Sequence, residues 1–130
     1  HPDIVFEDPA FGKLHGKDVA DMWHMLIDRA KGNLHISFSD IHANDNSGNA
    51  KWVAKYHFAK TNRNVVNKIH AYFEFKDGLI IKHNDHFDFH TWSKQALGIT
   101  GILLGWSSFL RKKVQKQALE SLRKYQQKTL

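Results

Sequence analysis

Across residues 34–90 apolar and polar side chains alternate with a period of two, the pattern of strands that bury one face. The alternation predicts four long strands, at about 34–43, 50–60, 64–76 and 79–90, separated by turn-forming clusters at 44–49, 61–64 and 76–78. Connections this short make consecutive strands antiparallel neighbours, so the four form a meander. Outside this block the period lengthens. Val19, Met22, Trp23, Leu26, Ile27 and Ala30 fall on one face of a helix over residues 17–31, with Asp18 and Asp21 in its first turns and Gly32 at its stop. Beyond Trp92 the pattern is again helical, breaks at glycines, and resumes as a last helix striped by Leu110, Val114, Ala118, Leu122 and Tyr125. A short strand-like run at Ile4-Val5-Phe6 and a turn from Asp8 to Gly12 open the chain. The prediction is a single α+β domain over residues 1–130, an antiparallel four-stranded sheet with helices against its apolar face.

Each strand can be read as two rows. Trp52, Ala54, Tyr56 and Phe58 share one face; so do Val65, Asn67, Ile69, Ala71, Phe73 and Phe75, and so do Ile81, His83, Asp85, Phe87 and Phe89. Leu34, Ile36 and Phe38 begin a fourth apolar row that Asp40 and His42 continue. The polar members of these rows are few: Asn67, His83 and Asp85, with Asp40 and His42 near a strand end. An unpaired polar group in a core costs several kcal/mol, so these residues need partners. Either they satisfy one another inside the core or they line a cavity that takes a ligand. Asp8 is a further candidate; it precedes Pro9, and its carboxylate is equally suited to capping the following turn.

Composition narrows the possibilities. The chain lacks cysteine, which excludes disulfides and thiolate metal sites and is compatible with a cytoplasmic protein. The formal charge of +6 is confined to residues 109–130, where seven basic side chains face Glu120 alone, while the remainder is balanced. A neutral body with one basic helix does not make a nucleic-acid-binding face, and no nucleic-acid partner is expected. The longest apolar stretch, residues 99–106, is interrupted by Thr100, Gly101 and Gly105 and falls far short of the ~20 residues that span a bilayer. It is expected to pack over the pocket or against a partner subunit, with no membrane partner. Ten histidines raise the question of metal, but alternation sends His86 and His90 to the face opposite His83 and Asp85. Two ligands are too few for a structural zinc site, so neither metal nor cofactor is expected.

Three segments carry a family resemblance: Val5-Phe6-Glu7-Asp8-Pro9, Lys60-Thr61-Asn62-Arg63-Asn64-Val65, and Gly78-Leu79-Ile80-Ile81-Lys82-His83-Asn84-Asp85 followed by Asp88 and Gln95-Ala96-Leu97-Gly98. In order and spacing they resemble the nuclear-transport-factor-2-like superfamily, in its SnoaL-like and ketosteroid-isomerase-like branches. The resemblance implies a cone-shaped curved sheet packed on helices, with Asp8 in the position of a general base. It also implies a His-x-Asp pair, His83 and Asp85, that faces the pocket with Asp85 as acid/base, and pairing into homodimers. The chain departs from the family in beginning after the one or two helices that close the cone, so an N-terminal helix is expected to be absent. The isomerase oxyanion-hole tyrosine would lie there, and its second aspartate falls near His70 or Ala71.

The expected function is a pocket for a small apolar ligand, with proton transfer on a carbonyl substrate by isomerisation, cyclisation or dehydration. Asp8 or Asp85 would abstract the proton, and His83 or Asn67 would hydrogen-bond the enolate oxygen. Trp52, Tyr56, Phe73 and Phe87 would pack against the ligand. The alternative is a ligand-binding or protein-interaction module of the same fold without turnover.

Overall fold

A computed structural model describes residues 1–128. In chain order the elements are β1 (Val5–Asp8), β2 (Gly12–His15), α1 (Lys17–Ala30), β3 (His35–Ala43), β4 (Ser47–Phe58), β5 (Arg63–Lys76), β6 (Leu79–His86), α2 (Phe89–Leu97), α3 (Ile99–Leu104) and α4 (Ser108–Lys128). The four-stranded meander is present as β3 to β6, with β4 pairing β5 over its whole length from Ser47↔Glu74 to Phe58↔Arg63. The sheet nonetheless has six strands, in the order β2-β1-β6-β5-β4-β3. The residues read as a turn at the start of the chain connect a tight hairpin, β1–β2, and β1 then pairs parallel to β6, with Phe6 beside His83. That pairing joins segments more than seventy residues apart and leaves no local periodicity to read.

Three elements end or turn differently from the sequence expectation. The fourth strand stops at His86 because Asp88 caps a helix, its carboxylate accepting the Thr91 N–H at 3.2 Å. A bulge between Ser39 and His42, with Asp40 at φ 50°, breaks the apolar row of β3. The shift sets His42 opposite Asn49, out of the inner row; all of β3 is exposed, and Asp40 pairs with Lys51 at 3.6 Å. On α1 the buried face is Val19, Met22 and Met25, while Leu26 and Ile27 stay exposed.

Two helix packings close the inner face of the sheet. Phe6 and Leu14 of the hairpin meet Val19, Met22 and Met25 of α1 and Leu122 of α4. Val65 of β5 meets Phe89, Trp92 and Ala96 of α2 and Leu110 and Val114 of α4. The stripe read along the last helix is thus the face it buries, with Ala118 and Tyr125 half-buried. Arg123 anchors the helix to α1 by a two-pronged contact with Asp18, at 2.8 and 3.0 Å. The last two residues of the expected basic helix, 129 and 130, lie outside the described residues. The stretch 99–106 does not cover the pocket. Gly101 and Gly105 press α3 against Ser93 of α2, and Ile99, Ile102, Leu103, Leu104 and Trp106 are exposed. No described helix is long and apolar enough to cross a membrane.

Candidate functional site

Strand β6 lies between β1 and β5, and its register sets His83 between Phe6 and Phe73, with Asp85 opposite Ala71. All are on the inner face. The His83 ring is caged by aromatics: Phe73 at 4.6 Å, the edge of Phe6 at 5.0 Å, and Trp23 of α1 stacked at 6.0 Å. Its Nε2 lies 2.7 Å from Oδ1 of the buried Asp85. An ionised Asp85 can only accept, so the imidazole donates through Nε2–H. The two polar intruders in the apolar row therefore satisfy each other, and His83 still borders a void.

Asp8 closes β1 two residues after Phe6. Its Oδ1 accepts the N–H groups of Ala10 at 2.9 Å and Phe11 at 2.6 Å, which is the turn-capping role expected of Asp before Pro. Capping is only part of its situation. Loss of surrounding water pushes the Asp8 carboxyl up to about 7; the Phe11 N–H opposes this, the charge of Asp85 adds to it, and the Ala10 N–H and His83 oppose it. Among the described residues no hydrogen bond falls on Oδ2. Tyr56 also feels the charge of Asp8. Burial pushes its phenol up to about 12, the Trp92 N–H pulls it down, and Asp8 raises it further. The Tyr56 oxygen accepts the Trp92 indole N–H at 2.7 Å, which leaves its own O–H free to donate. Asp8, His83, Asp85 and Tyr56 thus form one electrostatic neighbourhood.

The void beside it is an apolar cavity of about 170 Å³, bounded by Trp23, Ile36, Phe38, Trp52, Phe73 and His83, with His83 its one ionisable side chain. Trp52 and Phe73 line it as the sequence suggested; Tyr56 and Phe87 instead pack within the hydrophobic clusters that flank it. Asn67 is buried opposite Ala54, and no hydrogen bond reaches its amide among the described residues. It lies four residues along β5 from Ala71, roughly 13 Å at the usual strand rise, so it does not join the His83–Asp85 pair. Trp23, which stacks on His83, was legible only as a residue of an apolar helical stripe, and Trp92, which donates to Tyr56, only as the point beyond which the pattern turns helical. A larger open hollow of about 550 Å³ on the outer face, among His70, Tyr72, Glu74, Lys82, Asn84 and His86, contains no buried ionisable group. Among the described residues no three His, Asp or Glu side chains come together as a metal set.

Comparison with known families matches residues 1–83 to the SnoaL-like domain. The chain belongs to the SnoaL-like family. Among curated proteins none matches its sequence. Solved structures share the fold at low identity. Bal32a, from a soil-derived mobile gene cassette, superposes with a TM-score of 0.63 at 15% identity, covering 73% of this chain and 76% of that one. A protein of ketosteroid-isomerase-like fold from Catenulispora acidiphila, in complex with trimethylamine, gives 0.59 at 13%, covering 74% and 75%. A protein from Xanthomonas campestris provisionally described as a polyketide cyclase gives 0.55 at 18%, covering 74% and 78%. The SnoaL-like cone is thus the frame on which β1, β6 and α1 assemble the His83 cage.

Proposed function

We propose that this SnoaL-like domain binds a small apolar carbonyl compound and moves a proton on it, as an isomerase, cyclase or dehydratase. The observation that carries this reading is Asp8, a carboxyl titrating near neutrality, in the electrostatic neighbourhood of the His83–Asp85 pair, whose His83 borders an apolar cavity. A base with a pKa near the working pH both takes and returns a proton efficiently. In this scheme Asp8 uses its unoccupied Oδ2 to remove a proton next to the carbonyl. Developing charge on the carbonyl oxygen is met by the Tyr56 O–H, since the Nε2–H of His83 is already given to Asp85. Asp85 holds the imidazole in that orientation, and the surrounding rings give the ligand an apolar wall. The structural neighbours provisionally described as a polyketide cyclase and as having a ketosteroid-isomerase-like fold agree with this class of chemistry.

The cavity volume favours a compact ligand, about one or two rings, since sites for drug-sized molecules run to roughly 300–1,000 Å³. The test is solvent-deuterium incorporation into 2-tetralone followed by NMR, with Asp8→Asn and Asp85→Asn alongside the parent. Exchange above the buffer rate that drops at least about 100-fold in Asp8→Asn supports the scheme. Equal exchange in all three proteins disposes of it. The second reading, binding without turnover, draws on the closed His83–Asp85 hydrogen bond, which already satisfies both groups without a ligand. The outer sheet face, where Val66 and Tyr72 are exposed, is offered as the contact of a homodimer; a monomer mass in solution counts against it.

A further inference from the structure

The α3–α4 corner is built inside out. Its small residues face the protein: a methyl group on Gly101 would collide with the Ser93 carbonyl, and one on Gly105 would collide with Ser93 Oγ. Its large apolar residues face solvent, with Ile99 75%, Leu103 64%, Trp106 72% and Phe109 70% exposed and Ile102 beside them. Exposed apolar residues scattered singly mean little, whereas a contiguous group at one corner marks a surface that meets something apolar. None of these side chains lines the cavity of the proposed site.

The charge around the patch identifies what it meets. From Phe89 to Leu119 the sequence contains no Asp or Glu. Along α4, Phe109, Lys112, Lys113 and Lys116 follow the i, i+3, i+4, i+7 spacing of one helix face, and Leu110 and Val114 turn the other way into the core. Lys112, Lys113 and Arg111 are exposed, as is Lys116. A basic stripe therefore rises from an apolar tip over roughly 10 Å, at 1.5 Å per residue. That is the depth over which a membrane interface passes from acyl chains to headgroups. A second copy offering the same patch would bring the two sets of cations together, which disfavours self-association there.

We infer that the α3–α4 corner is a docking site for an anionic lipid surface. Trp106, Phe109, Leu103 and Ile102 enter the acyl boundary while Lys112, Lys113 and Lys116 contact the headgroups. The chain lies on the surface and does not span it.

The test is sedimentation of the full chain with vesicles of phosphatidylcholine and phosphatidylglycerol at 7:3, against phosphatidylcholine alone, at 50 mM and 500 mM NaCl. Binding to the anionic vesicles only, weakened at high salt, is expected. Each basic side chain near an anionic leaflet is worth about 5-fold in partitioning, so Lys112→Gln, Lys113→Gln and Lys116→Gln together reduce binding about 100-fold. Trp106→Ser with Phe109→Ser reduces it by about the same factor through lost apolar burial, while Tm stays within a degree or two because neither side chain packs in the core. Brominated acyl chains quench Trp106 emission in the parent. The inference is overturned by the absence of binding at 50 mM NaCl, by binding indifferent to the Trp106 and Phe109 changes, or by a dimer of the parent that those changes dissolve.

Discussion

Replacing Asp8 by Asn separates the cost of the buried carboxyl from its capping role. The amide oxygen of the introduced side chain is still able to accept from Ala10 and Phe11, so the turn is kept and only the charge is lost. The folded Asp8 carboxyl holds its proton up to about pH 7, whereas an ordinary one releases it near 3.8. Between those values the folded state binds a proton that the unfolded chain has given up. The group's contribution to stability is therefore greatest below about pH 4, falls as pH rises through the window, and is flat above 7. At about 1.36 kcal/mol per pH unit inside the window, the loss between pH 5 and pH 8 is about 2.5 kcal/mol. Water at the half-buried edge of Asp8 makes that a ceiling. With a urea m-value of about 1.5 kcal/mol per molar, the unfolding midpoint of the parent drops by up to about 1.7 M across this range. Histidines titrate in the same range, so the quantity to read is the difference between parent and Asp8→Asn at each pH. The variant is expected to match the parent near pH 4 and to exceed it at pH 8. A pH dependence identical in the two proteins, or a variant less stable at pH 8, would refute the placement of Asp8 in a desolvated, acid-flanked site.

Other outcomes follow from the same packing. Asp85→Asn removes one of the charges that raise Asp8, so the Asp8 carboxyl, followed by carbon-13 NMR, titrates at lower pH than in the parent. His83→Ala empties the aromatic cage and leaves Asp85 buried without its partner; a loss of about 2–4 kcal/mol in urea denaturation is expected, against near-neutrality for an exposed histidine such as His35. Gly101→Ala forces a methyl into the Ser93 backbone and lowers stability by about 2 kcal/mol or more, read as a Tm drop of several degrees by circular dichroism. Arg123→Ala breaks an exposed ion pair with Asp18 and costs no more than about 1 kcal/mol, a difference that shrinks in 0.5 M NaCl.

The long strands were legible because each alternates over eight residues or more and is bounded by turn chemistry. The same alternation brought out His83 and Asp85, since two polar residues in an apolar row are conspicuous without a structure. The hairpin at the start of the chain was not readable as sheet. β1 and β2 are four residues each, too short for a period, and the partner of β1 is β6, reached only through the tertiary fold. The Asp88-Phe89-His90-Thr91 capping sequence was available to end the fourth strand, but an apolar row running on to Phe89 outweighed it. Bulges are harder still: Asp40 shifts two side chains out of an otherwise continuous row, and single-residue left-handed backbone has no periodic trace. The coupling of Tyr56 to Asp8 and the stacking of Trp23 on His83 depend on how helices cross the sheet, which no pattern within one element encodes.

The bulge in β3 also bears on how the protein behaves in concentrated solution. β3 is one lateral margin of the sheet, nine residues long, with Ile36, Phe38 and Ile41 exposed along it, while the other margin, β2, has only four. An unpaired margin of that length and composition is a template on which another chain can add a strand. The kink at Asp40 and the Lys51 contact interrupt the template after five residues, leaving a straight segment, His35 to Ser39, too short to seed a stable intermolecular ladder. The irregularity that turns His42 out of the apolar row thus also shortens the regular edge that a second copy would have to extend.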